Sequence, residues 1–105
     1  MKKYEVSFRP FAEADLLRLY DYIAEASGPD VTGVYIDRIE AACLALESFP
    51  ERGTRRDDIR PGLRLMGFER RATIIFQVTE DEVIIVRIFY GGQDYEGALR
   101  RGGAG

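Results

Sequence analysis

Tyr4, Val6 and Phe8 alternate with Glu5 and Ser7, the period of two that marks a half-buried strand. Pro10 then suits the first turn of a helix, where its missing donor is not needed, and Glu13 and Asp15 follow near the end that favours acids. Leu16, Leu17, Tyr20, Ile23 and Ala24 recur at helical intervals and predict a core-facing stripe that Gly28-Pro29 terminates. Asp30 is placed to cap a second helix. Its predicted stripe is Val31, Val34, Tyr35, Ile39, Ala42, Leu46 and Phe49, and Pro50 ends it.

A turn-rich segment, ERGTRRDDIRPG, separates these helices from three predicted strands at Leu63 to Phe68, Ala72 to Thr79 and Val83 to Tyr90. In the second run, Ala72, Ile74, Phe76 and Val78 share the face expected to pack on the helices. The third, VIIVRIFY, is apolar on both faces except at Arg87, as expected of a strand inside a sheet, with TEDE forming the hairpin before it. DYEGAL can add a short C-terminal helical turn. The order strand–helix–helix–strand–strand–strand implies an α+β fold, with a helical hairpin on one face of a largely antiparallel sheet. One domain is expected over residues 1–99, with residues 100–105 as a flexible tail.

Composition narrows the chemistry. The chain has 105 residues, 46% hydrophobic and 31% charged, one cysteine and no histidine. Without histidine there is no Ser-His or Cys-His nucleophile pair and no imidazole metal ligand. The lone Cys43 excludes an intramolecular disulfide and reads as a reduced core thiol. No metal or other cofactor is expected. No apolar run approaches the roughly 20 residues that span a bilayer, and the N-terminal segment lacks a secretory pattern, so a cytoplasmic protein without membrane contact is expected.

The formal charge is −3, which gives no general attraction to a phosphate backbone, and no direct nucleic-acid binding is expected. Charge is nevertheless segregated: residues 51–71 carry seven arginines against four acids, whereas residues 1–50 carry five basic and nine acidic side chains. Arg60, Arg64, Arg70 and Arg71 read either as a solvated face or as a site for an acidic partner segment, because planar guanidinium groups hold carboxylates bidentately. Arg87, isolated in an apolar strand, must face solvent or a carboxylate, or else a partner. Gly91-Gly92 reads as a tight strand exit, since no Lys-Ser/Thr follows for a phosphate cradle.

The strings AEADLLRLYDYIAE, YIDRIEAACLALESFPERGTRRDDIRPGLR and FQVTEDEVIIVRIFYGGQDYEGAL, in this order, resemble the first helix, the second helix with its connection, and the final hairpin of the RelE/ParE toxin superfamily. The Pro-Glu-Arg-Gly connection and the ending FYGGQD look closer to its ParE branch, although that branch often has His and Arg where Tyr90 and Gly92 stand here. The resemblance implies the toxin of a type II toxin–antitoxin module, inhibiting DNA gyrase by protein contact and neutralised by a ParD-like antitoxin in a hetero-oligomer. The four arginines named above are then expected to bind the antitoxin. Gln93, Asp94, Tyr95, Arg100 and Arg101 are expected to bind the target, in a segment serving toxicity more than folding.

The competing reading is a RelE-like ribosome-dependent messenger RNA endonuclease, and a third is a non-toxic module that retains antitoxin binding. Cleavage to a 2′,3′-cyclic product needs cations at the phosphorus and an acid–base pair. Aligned with those nucleases, this chain has Thr73 at the strand-arginine position and Gly92, Gln93 and Asp94 at the basic turn. Tyr95 matches the C-terminal tyrosine, but a lone phenol without adjacent cations is a poor acid–base group. No catalytic residue is expected.

Overall fold

The computed structural model describes residues 2–91 and 94–101. Strand β1 (Glu5–Phe8) leads into helix α1 (Pro10–Ser27) and helix α2 (Pro29–Leu44), which a 3₁₀ turn (Ala45–Glu47) extends. Strands β2 (Thr54–Arg55), β3 (Leu63–Phe68), β4 (Ala72–Val78) and β5 (Glu82–Tyr90) and the short helix α3 (Tyr95–Arg100) complete the order. The sheet runs β1-β5-β4-β3-β2; β1 is parallel to β5 and every other pair is antiparallel. The expected α+β class and the inner position of β5 both hold. The two-residue edge strand β2 was not foreseen, since Thr54-Arg55 is too short to show a period.

On β4 the expected face, Ala72, Ile74, Phe76 and Val78, joins the helices in the main core. On β5 the alternation breaks. Ile75 pairs with Arg87 but the next residue, Phe76, pairs with Ile85, so Val86 is an extra residue on β5. The bulge resets which side chains point where: Ile85 and Ile88, three apart, both enter the helix-side core, while Val86 and Phe89 both enter a second cluster. That second cluster also contains Leu63, Leu65, Ile75 and Leu99, with Ile59 and Tyr95 against it. The helices therefore do not lie on one face only. The hairpin covers one face, and α3 with the loop before β3 covers the other.

Counting apolar residues misplaced part of each helical stripe. On α1 the buried residues are Ala12, Asp15 and Leu19, while Leu17 is 70% exposed and Tyr20 37% exposed. The expected stripe is rotated because a carboxylate, not a leucine, occupies one of its central positions. On α2 and its 3₁₀ extension, Tyr35, Ile39 and Leu46 are inside as expected, joined by Thr32 and by Cys43, whose thiol burial pushes up to about 12. Thr32 is satisfied by donating to the Gly28 carbonyl at 2.7 Å. Val31, Val34 and Phe49, expected inside, are 58%, 56% and 60% exposed. The cap of α2 is Gly28, at φ 87°, rather than Asp30; only a residue free of Cβ strain closes α1 and opens α2 within one position.

Asp15 is 6% exposed and is saturated with donors. Its Oδ2 accepts from Arg87 Nε and from the Ile88 backbone N–H, both at 2.8 Å; its Oδ1 accepts from Arg87 Nη2 at 3.0 Å and Arg18 Nη2 at 2.5 Å. Of the readings of Arg87, the carboxylate partner holds. The guanidinium also lies 4.6 Å from the Phe89 ring centroid and 5.5 Å from that of Phe11. Asp15→Asn removes the charge while keeping the shape, leaving a cation buried without its counter-ion. We expect a loss of about 3–5 kcal/mol, read as a lower urea midpoint with an unchanged denaturant slope.

Candidate functional site

The misplaced stripe residues of α2 reappear as the wall of a cleft. It lies between the end of α1, the start of α2 and the tip of the β3–β4 hairpin, and measures about 580 Å³. Val31, Val34, Tyr35 and Arg38 line it from α2, with Asp30 at the start of that helix, Ile23 and Ser27 from α1, and Glu69, Arg71 and Tyr90 from the sheet. The i, i+3, i+4, i+7 spacing of the α2 residues puts them on one face. Its two aromatic members interlock edge to face with each other and with neighbours outside the lining: Tyr35 with Tyr90 at 6.3 Å and with Phe68 at 5.7 Å, and Tyr90 with Tyr22 at 5.7 Å.

Charge sits on the rim. Arg38 grips Glu69 with two bonds, Nε–Oε2 at 2.8 Å and Nη2–Oε1 at 2.9 Å, and its guanidinium lies 5.5 Å from the Tyr35 ring centroid. The Arg38 bonds hold the Glu69 carboxyl below its ordinary range. Burial, followed by the neighbouring Tyr90 and Glu69, pushes the Tyr35 phenol up, and its hydroxyl is buried with no hydrogen-bond partner among the described residues. Arg71 Nη1 makes a long 3.5 Å contact to the Tyr90 hydroxyl. From sequence Tyr35 reads only as a member of the core stripe, and Arg38 is not singled out. The available signal was a cation continuing the Val31–Val34–Tyr35 face.

The four arginines expected to act together are divided. Arg70 and Arg71 stand at the β3–β4 turn, where they line an adjoining hollow with Tyr22, Ile23 and Tyr90. Arg60 and Arg64 stand at the other end of β3, roughly 20 Å away at about 3.3 Å per strand residue. Arg64 there donates to the Arg52 carbonyl at 3.3 Å. Thr73, at the position matched to the nuclease arginine, is half-buried on β4 opposite Phe89.

The C-terminal segment is built into the fold. Asp94 caps α3, its Oδ1 accepting from Gly97 N at 2.9 Å. Tyr95 tilts against Phe89 with ring centroids 6.5 Å apart. Leu99 is 3% exposed. Arg100 bonds Asp58 at 2.9 Å and Glu96 at 3.1 Å, and Arg56 bonds the same two acids at 2.8 Å and 3.2 Å, closing a four-membered network. Helix α3 thus runs one residue past the boundary expected for the tail. Leu99 seals the second apolar cluster, so the segment expected to serve toxicity is also part of the folded core. Arg101 is exposed, and Gly92 and Gln93 lie outside the described residues.

The fold is similar to a chain of the chromosomal ParDE toxin–antitoxin system from P. aeruginosa, at 26% identity and a TM-score of 0.73, covering 85% of this chain and 97% of that one. It is also similar to a chain of the RelBE2 toxin–antitoxin complex from Mycobacterium tuberculosis, at 20% identity and a TM-score of 0.58, covering 89% and 97%, a likeness of fold. The family described as the ParE toxin of the parDE type II toxin–antitoxin system matches residues 6–95. Toxin ParE3 of Caulobacter vibrioides is 32% identical over 77 residues, covering 73% of this chain and 76% of that protein. The chain belongs to the ParE toxin family.

Two measurements test the role of α3. The bonds from Arg56 hold Asp58, in the loop under α3, at about 2, against an ordinary 3.8. A carboxyl lowered on folding contributes stability that is complete above its unfolded pKa and is lost as pH falls through its folded one. The Asp58 contribution should therefore disappear between about pH 4 and pH 2, and Asp58→Asn should remove that part of the acid melting profile. Leu99→Ala should lower unfolding free energy by about 2–4 kcal/mol, measured by urea denaturation.

Proposed function

We propose that this ParE-family toxin inhibits DNA gyrase by protein contact, in the cytoplasm, and is neutralised by a ParD-like antitoxin whose amphipathic segment fills the cleft between helical hairpin and sheet. The observation that carries the antitoxin part is the pairing, on one rim, of half-exposed Val31 and Val34 with the guanidinium groups of Arg38 and Arg71. An amphipathic helix laid in such a groove buries apolar side chains at i, i+3 and i+4 and offers its acids to the rim. Arg70 borders the same region; a segment reaching Arg60 and Arg64 as well must follow the whole of β3. The solved ParDE system and the RelBE2 complex are consistent with an antitoxin partner.

Contact rather than catalysis is supported by the surroundings of Tyr95. Its ring lies against Phe89, and the matched strand position beside Phe89 is Thr73, which brings no charge to a phosphorus. Target binding is assigned to the exposed surface of the C-terminal segment, around Asp94, Tyr95, Arg100 and Arg101 and extending to Gln93.

Purified toxin should inhibit a gyrase supercoiling reaction and should leave labelled messenger RNA intact on translating ribosomes. Codon-positioned cleavage lost in Tyr95→Phe, with supercoiling unaffected, would replace gyrase inhibition by ribonuclease activity. Silence in both assays with tight antitoxin binding would leave a non-toxic binding module.

A further inference from the structure

We propose that Glu69 is a built-in occupant of the antitoxin cleft, a self-ligand on Arg38 that a carboxylate of the partner displaces on binding; this rests on the reading that the cleft receives an acidic, amphipathic antitoxin segment. Three separate features of the cleft rim lead here.

The first is the backbone that carries Glu69. The three-residue connection between β3 and β4 holds Glu69 at φ 49° and Arg70 at φ 64°, the central positions of a turn closed by Arg71 N–H donating to the Phe68 carbonyl at 3.2 Å. Turns of this hand favour Asn and Gly at both central positions because a larger side chain is strained there. Two long charged residues in that conformation mean that something outside the turn holds it, and strained backbone of this kind concentrates at ligand clamps and switches.

The second feature is the clamp itself. Arg38 on α2 and Glu69 on the turn meet in a bidentate pair across the mouth of the cleft, with side chains 49% and 42% exposed. Exposed pairs gain little from their own attraction, since water and salt compete for both ends. Exchange of one carboxylate for another is correspondingly easy, and the planar fork of Arg38 is already aimed.

The third feature is beneath the clamp. The Arg38 guanidinium roofs the Tyr35 ring, whose hydroxyl is buried and unsatisfied among the described residues. A buried hydroxyl without a partner is unfavourable, so the floor under the Arg38–Glu69 pair holds a polar group that a rearrangement of the rim can satisfy. Val31 and Val34 precede Arg38 by seven and four residues on the same helical face, so a segment seated on the valines brings its next turn to Arg38. The fork of Arg38, with Arg71 beside it on the same lining, is the element of the rim that a partner carboxylate engages.

The test uses the full chain and, as probe, the acidic protein of the adjoining reading frame, co-expressed, separated and returned in a titration. Glu69→Asn suits the turn conformation and is too short to reach Arg38, so it removes the competitor without unfolding the hairpin. It should tighten binding about five- to tenfold, because a site that is occupied internally binds with affinity reduced by the fraction open. Arg38→Gln should weaken binding about tenfold, and in that background Glu69→Asn should change nothing beyond about twofold. A complex that forms with equal or lower affinity for Glu69→Asn overturns the exchange while leaving the antitoxin cleft standing. Binding by Glu69→Asn where the wild-type chain shows none supports the exchange, and absence of a complex with every variant overturns both.

Discussion

The carboxylate of Asp15 joins the two layers of this protein at a place where neither layer can be completed alone. Strand β1 ends at Phe8, opposite Ile85, and Arg9 donates the last backbone bond to Ile85 at 2.9 Å. Beyond that point β5 has lost its neighbour on one side, and its Ile88 N–H would be buried under α1 with no acceptor. Asp15 supplies the acceptor and binds Arg87 with its remaining capacity. Burying such a pair adds little net stability, because desolvation of both ions offsets their attraction. What it does is exclude alternatives: a slip of α1 along β5, or of β5 by one residue, strands a carboxylate, a guanidinium and a backbone donor together.

The position of the cleft follows from that lock. With α1 held over the outer half of β5, its last two turns and the start of α2 project past the sheet toward the β3–β4 turn. Tyr22, Tyr35 and Tyr90 fill the angle between hairpin and sheet, leaving Val31 and Val34 facing outward rather than inward. The Val86 bulge is part of the same arrangement. It turns Arg87 toward Asp15 and still lets Ile88 return to the main core. A feature that looks like an irregularity in β5 is what allows one strand to serve both apolar clusters.

The opposite face is held by different means. Helix α3 has only six residues, too few to be stable by itself. It is kept in place by Leu99 in the second cluster, by the Asp94 cap and by the network of Arg56, Asp58, Glu96 and Arg100. Each exposed ion pair is weak, but four charges sharing partners order fewer side chains per contact than isolated pairs do. Residues near the C-terminus are thus exposed on their outer side and packed into the second cluster on their inner side.

The sequence by itself determined the order of elements apart from the edge strand β2, the strand limits of β3 to β5 within a residue or two, the inward face of β4, the burial of Cys43 and the family. All of these are local periods or ordered strings, and a period of 2 or 3.6 is visible wherever burial follows it. It could not place Leu17, Val31 and Val34, because apolar residues score alike whether they meet a core or a partner. It could not show that Asp15 is buried, since its reason for being there, Arg87, lies 72 residues away in the chain. Nor could it separate Arg60 and Arg64 from Arg70 and Arg71, which are close in sequence yet lie at opposite ends of an extended strand. Tertiary structure alone decided those points, because the energy of a buried charge or an exposed valine depends on what is packed beside it.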